Sequence, residues 1–170
     1  VLVAGCQRSG TTMLTRIIAQ SAGFRALRLT RDDELDAGLA LCGAVDLPAN
    51  ARYCFQTTYL NERYPEYRML GPGHRLIWVL RNPYSVVYSM VYNWRRFGRN
   101  ELYESCGLTL AENERQRRVR WPWPIGPSRL ERACFSYAAK TAQIKVIRTL
   151  VPAQQLLIID YDELVTEPGK

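Results

Sequence analysis

Two arginines, each placed where a strand meets a helix, are the residues of this chain best suited to chemistry. The first lies in Gly5-Cys6-Gln7-Arg8-Ser9-Gly10-Thr11-Thr12. Small apolar residues precede this stretch at 1–4. After it, Met13, Leu14, Ile17 and Ile18 recur at helical spacing. A strand, a glycine-bracketed loop and a helix turn backbone N–H groups and a positive helix end toward one anion. The stretch fits G-x-x-x-x-G-x-T, but the Lys of a nucleoside-triphosphate loop is missing: Thr11 holds its place and the cation comes earlier, at Arg8.

The second arginine, Arg81, ends the apolar run Leu76-Ile-Trp-Val-Leu80 and precedes Asn82-Pro83, a good N-cap followed by a favoured first helical residue. Ligands of open α/β sheets bind outside the carboxyl ends of the strands, so Arg81 is expected beside the loop. A nucleotidase presents a metal-binding acid at such a strand end. Two arginines, two helix N-termini and several hydroxyls suit instead a ligand with two separate anionic groups and no metal.

The elements that must position these residues alternate between strand and helix. Ser21-Ala22-Gly23 stops the first helix, and Phe24 to Leu29 reads as a short strand. Residues 30 to 52 read as a short helix plus loop, and Tyr53 to Leu60 fits strand or helix equally. Glu62 to Leu70 reads as a helix before the turn Gly71-Pro72-Gly73. Past Asn82 the spacing puts Val86, Val87, Met90, Trp94 and Phe97 on one helical face, with Trp94 and Phe97 in the core. Thr109-Leu-Ala-Glu112 and Ser128-Arg-Leu-Glu131 read as capping boxes. The second starts a long helix that stops at Pro152. Leu156-Leu-Ile-Ile159 is another buried strand. The pattern predicts a three-layer α/β/α fold with a mainly parallel central sheet, of the phosphate-loop nucleotide-binding type.

The 170 residues suffice for a single domain with a real core. The chain opens inside its first strand and stops soon after its last, so it is expected to be a fragment, truncated at both ends. A net charge of +7 favours anionic partners. The arginines are scattered, which suits a polyanionic small molecule as well as nucleic acid. No apolar run reaches membrane-spanning length, and the five cysteines lack C-x-x-C spacing. With one histidine, no zinc site is expected. The cysteines read as small buried hydrophobes. Their odd number points to a reducing compartment, and a cytoplasmic location is expected.

These motifs together resemble those of sulfotransferases that use 3′-phosphoadenosine 5′-phosphosulfate. The family's 5′-phosphosulfate loop corresponds to Gly5–Thr12. Its 3′-phosphate motif, Arg-Asn/Asp-Pro with a Ser eight residues after the Arg, corresponds to Arg81-Asn82-Pro83 and Ser89. Tyr161-Asp-Glu-Leu164 is similar to the family's Tyr-Glu-Asp-Leu. The resemblance implies that Arg8, Ser9, Gly10, Thr11 and Thr12 hold the phosphosulfate. Arg81 and Ser89 then clamp the 3′-phosphate, and Tyr161 reaches the nucleotide. It implies transfer of a sulfuryl group to a hydroxyl or amine acceptor (carbohydrate, small molecule, lipid or protein) without metal, with Arg8 offsetting charge in the transition state. Cytosolic members take a histidine base from a segment matching 55–59, which here has none. Protein-tyrosine and related members use a Glu about two dozen residues past the loop. This spacing lands in Asp32-Asp33-Glu34 and implies Glu34 as the base, with Asp33 next.

Alternative readings are a phosphate-loop kinase or nucleotidase, with Asp160 or Asp162 on Mg²⁺, and a non-catalytic nucleotide-binding module. His74 precedes its strand, at the end opposite the anion pocket, and reads as structural. Residues 98–127 read as an irregular lid or acceptor-side insertion. Arg115 to Arg120 with Trp121 and Trp123 are taken as part of it rather than as a nucleic-acid surface.

Overall fold

A computed structural model describes residues 1–25, 33–41, 43–48, 50–58, 67, 70–117 and 126–167, with the backbone alone at 33–35, 41 and 114–117. They form two compact units, one of Val1–Arg81 with Gln143–Lys170, the other of Asn82–Ala142.

The first unit is built on a parallel sheet. Strands β1 (Leu2–Gly5), β4 (Phe55–Gln56), β5 (Leu76–Leu80) and β6 (Leu156–Asp160) lie in the order β4-β1-β5-β6, and a second parallel pair joins β2 (Phe24–Arg25) to β3 (Arg52–Tyr53). The register pairs Gly5 with Val79 and Leu80 with Asp160, so the carboxyl ends of β1, β5 and β6 lie side by side. Chain order reverses direction across the sheet at β1 and β5, the switch point where such sheets bind ligands. One face of the sheet packs Leu2, Ala4, Leu76 and Trp78 against Ile147 and Val151. The other packs Val3 and Val79 against Leu14 of helix α1 (Thr11–Gln20) and Cys54. Alternate residues of β1 and β5 therefore face opposite layers, as the pleat of a strand requires.

Four expectations for this unit need qualification. The segment around residues 53–60 is strand, in β3 and β4; residues 59 and 60 lie outside the described residues. The strand at Phe24 is described for two residues, its expected remainder lying outside them, as does nearly all of the expected helix 62–70. Helix α2 spans Asp33–Leu41. Cys6 and Cys54 are buried, and burial pushes the Cys54 thiol up to about 11, so it packs as a neutral hydrophobe. Cys106 is half-buried and Cys134 exposed, so burial does not extend to every cysteine.

The second unit departs further from the sequence reading. Helix α3 (Pro83–Tyr88) starts as expected, the Asn82 side chain accepting from the Tyr84 amide at 2.9 Å. It then widens into a π-helical turn over Ser89–Asn93 and breaks at Trp94, whose backbone is extended. The wider turn and the break shift the phase of the next helix, α4 (Arg96–Leu102). Phe97, expected in the core, is 80% exposed, Trp94 is only half-buried, and Arg99 is buried instead. The Thr109 capping box does not form. Helix continues through a second π-helical turn, Tyr103–Gly107, into α5 (Leu108–Arg117), so Thr109 lies inside a helix. The Ser128 box does form: the Ser128 amide donates to Glu131 Oε2 at 2.8 Å, and the Glu131 amide to Ser128 Oγ at 3.2 Å. It opens α6 (Arg129–Leu150), which stops before Pro152.

Trp78 is fully buried, and its indole N–H has no partner among the described residues. Trp78→Phe is therefore expected to cost less than about 1.5 kcal/mol in urea unfolding, because it also removes a buried unpaired donor. Trp78→Ala, which leaves a cavity, is expected to cost about 3–5 kcal/mol. Similar costs for both would contradict this packing.

Candidate functional site

The loop after β1 is shaped by backbone conformations that few residues adopt. Gly5 has φ +145°, Arg8 +72° and Gly10 +97°. A Cβ at Gly5 would stand 2.6 Å from the Val79 carbonyl oxygen, so glycine lets the chain turn directly over β5. Arg8 has a Cβ and still takes the left-handed conformation, a strain of about 1–2 kcal/mol. Strain of this kind concentrates at functional sites. Ser9 is fully buried. Its hydroxyl and its amide both donate to the Cys6 carbonyl, the amide at 3.1 Å, which closes the turn.

Helix α1 begins at Thr11, which is buried, while Thr12 is exposed. Its N-cap, Gly10, offers no side chain, and no acid stands in its first turn. The positive end of the helix dipole therefore keeps no protein anion of its own at this turn.

Arg81 meets this loop. Its Nη1 donates to the Arg8 carbonyl at 3.1 Å, its Nε stands 3.7 Å from Asp162 Oδ1, and its guanidinium carbon lies 4.8 Å from the centre of the Tyr161 ring. Tyr161 opens helix α7 (Tyr161–Thr166) directly after β6, and Asp160 caps that helix by accepting from the Asp162 amide at 2.8 Å. The Tyr161 ring also closes over the loop: a Cβ at Gly10 would collide with it, and its hydroxyl contacts Met13 Sδ at 3.4 Å. The tips of β1, β5 and β6 thus bring together Arg8, Gly10, Arg81 and Tyr161, with Arg81 beside the loop as its strand-end position predicted. Asp160 and Asp162, the metal ligands of the kinase alternative, serve here as a helix cap and as a partner of Arg81.

Ser89 belongs to the second unit, where it is half-buried at the start of the first π-helical turn. Asp33 and Glu34 form the first turn of α2, and their side chains lie outside the described residues. His74 sits at the opposite end of β5, where its ring faces the Gly71 carbonyl at 3.3 Å and its own carbonyl accepts from Gln155. Gln7 was not singled out by the sequence. It is 7% exposed, and neither its amide oxygen nor its nitrogen has a partner among the described residues. Only its place between the two loop glycines signals it. A buried, unsatisfied amide in such a loop fits a site that a polar ligand completes.

A family model described as the sulfotransferase domain matches residues 1–170. The chain belongs to that family. Sulfuryl transfer is accordingly its general activity. Its fold is similar to that of a sulfotransferase domain from the curacin biosynthetic pathway. The two share 14% identity over 98% of this chain and 68% of that one, with a TM-score of 0.60. A sulfotransferase from Alicyclobacillus acidocaldarius is similar at 18% identity over 98% of this chain and 74% of that one, with a TM-score of 0.57. No curated protein matches the sequence. Among the described residues no helix is long and apolar enough to cross a membrane, and no three His, Cys, Asp or Glu side chains are grouped to hold a metal ion.

The contact of Gly10 with Tyr161 can be tested against Gly23, which has φ +85° but no atom of the described residues within 4 Å of where its Cβ would stand. Gly23→Ala is expected to cost the backbone strain alone, about 1–2 kcal/mol in urea unfolding. Gly10→Ala is expected to cost at least about 1 kcal/mol more, because the Tyr161 ring must also move. Equal costs would remove Tyr161 from the loop.

Proposed function

We propose that this family member transfers the sulfuryl group of 3′-phosphoadenosine 5′-phosphosulfate to a hydroxyl or amine acceptor. The single observation that carries this reading is the bond from Arg81 to the Arg8 carbonyl, which fixes a cationic strand tip to the strained loop. A donor with a 5′-phosphosulfate and a 3′-phosphate needs two linked cationic stations of this kind. The residues fit such a group: a helix start without a capping side chain or acid, an unsatisfied loop amide at Gln7, and an arginine for each anion.

In this reading the backbone of Arg8 to Thr12 and the Arg8 guanidinium hold the phosphosulfate, with Ser9 keeping the loop closed. Arg81 and Ser89 hold the 3′-phosphate, for which a planar forked donor is well suited. Tyr161, already stacked on Arg81, borders the nucleotide. The donor supplies an activated sulfuryl group, whose bond to the 5′-phosphate breaks as the acceptor oxygen or nitrogen bonds to sulfur. Arg8 offsets the charge left on the phosphate, and Glu34, or Asp33 beside it, takes the acceptor proton. Loop, arginines and helix end form a donor set for anions, and the mechanism assigns no role to a metal. The whole of 1–170 is read as one sulfotransferase domain, with 98–127 on the acceptor side, and its place as cytoplasmic.

Titration calorimetry with adenosine 3′,5′-bisphosphate, with and without Mg²⁺, tests the donor. Binding independent of Mg²⁺ is expected, whereas Mg²⁺-dependent ATP binding without affinity for the bisphosphate would make the protein a kinase or nucleotidase. Arg81→Ala is expected to weaken the bisphosphate about 10- to 100-fold, the loss of one charge-assisted hydrogen-bonded pair. Adenosine 5′-monophosphate should lose much less; equal losses would confine Arg81 to bracing the loop. Glu34→Gln is expected to lower the transfer rate about 10²- to 10⁴-fold with bisphosphate affinity unchanged. An unaltered rate in both Glu34→Gln and Asp33→Asn would leave a binding module without this base.

A further inference from the structure

The second unit contains a cluster of arginines that the donor site does not use. Within this unit the helical run from α4 through Gly107 lies beside the start of α6 and runs in the same direction. Gly107 meets Ser136, where a Cβ on the glycine would stand 3.0 Å from the Ser136 amide nitrogen. Cys106 Sγ reaches the Ser136 carbonyl at 3.7 Å. Farther along, the Arg132 guanidinium carbon lies 5.4 Å from the centre of the Tyr103 ring. One more step in the same register brings Arg99 and Arg96 toward Arg129, the first residue of α6.

Arg99 is the unusual member. It is 5% exposed, and its Nε and Nη1 have no partner among the described residues. Burial, and after it the charges of Arg129, Arg96 and Arg132, pull its guanidinium below the ordinary arginine pKa. A guanidinium still remains protonated at neutral pH. No carboxylate of a described residue pairs with any of the four. Arg129 donates to the Val91 carbonyl, and Arg132 Nε donates to the Pro127 carbonyl at 3.1 Å, so both are held in place. The acid of the first turn of α6, Glu131, is engaged with the Ser128 amide. The positive end of the 22-residue helix α6 adds to the same field. A buried guanidinium among like charges, with free N–H groups, is a costly arrangement unless an anion completes it.

We propose that Arg99, with Arg96, Arg129 and Arg132, forms a second anion-binding site that takes the phosphate or carboxylate group of a ligand. Arg99 supplies the desolvated donors. Arg96 and Arg129, both exposed, supply the rim. The site stands independently of the donor assignment, because none of its residues belongs to the phosphate loop or to the tip of β5.

Thermal unfolding and calorimetry of the whole chain with inorganic phosphate test it, with sodium chloride at equal ionic strength as reference. Phosphate is expected to raise Tm where chloride does not. Arg99→Met should weaken phosphate at least tenfold while unfolding at or above the wild-type temperature in its absence, since an unpaired buried charge has gone. Arg8→Ala should keep this response, which separates the cluster from the donor loop. Phosphate and acetate run side by side distinguish a phosphate ligand, favoured by four positive charges, from a carboxylate. A response to phosphate no larger than to chloride would overturn the proposal. So would one lost in Arg8→Ala and retained in Arg99→Met. If Arg99→Met does not fold, the exposed pair Arg96→Gln with Arg129→Gln decides: a phosphate affinity within twofold of wild type refutes the site, and a tenfold loss supports it.

Discussion

The hydrogen bond from the tip of β5 to the loop after β1 is the contact on which the candidate site depends. Arg81 holds the Arg8 carbonyl, stacks on Tyr161 and faces Asp162, so one guanidinium ties together the ends of three parallel strands. A charged group of this kind keeps its position only where several partners share it, because its long side chain otherwise loses little by wandering. Here a carbonyl, a ring and a carboxylate share it. The arginine is thereby placed before any ligand arrives, and preorganised charge is what transfer of an anionic group requires.

The glycines and the sheet make this contact possible. Gly5 lets the backbone cross Val79 closely, and Gly10 leaves room for the Tyr161 ring. The parallel register sets Gly5 beside Val79 and Leu80 beside Asp160, so the residues just past each strand emerge together. Hydrophobic layers on both faces hold that register, because a one-residue slip would turn Trp78 and Val79 to the wrong sides. The sulfotransferase family and the fold it shares with solved sulfotransferases are consistent with this arrangement.

The second unit follows another physical rule. Its helices contain two π-helical turns and an extended break at Trp94, each of which resets helical phase. The first turn and the break at Trp94 expose Phe97 and bury Arg99. A charge in such a place is unfavourable for folding alone. This is why the arginine cluster reads as a binding feature and not as a stabilising one.

The loop, the strand at 76–80, the Asn82 and Ser128 caps and the parallel α/β fold were legible in the amino-acid order, because each rests on local chemistry. Glycine permits positive φ, a run of apolar residues seeks a buried strand, and a capping side chain bonds an amide three residues away or less. The resemblance carried by Arg8, Arg81 and Tyr161 likewise needed only motifs in order. Sequence periodicity alone did not reveal the exposure of Phe97, the burial of Arg99 or the orphaned amide of Gln7. Periodicity assumes an unbroken helix, and it has no term for a π-helical turn or for which polar groups meet when distant segments pack. Those outcomes were decided by tertiary structure, since burial and hydrogen-bond partnership belong to pairs of segments and not to any one of them.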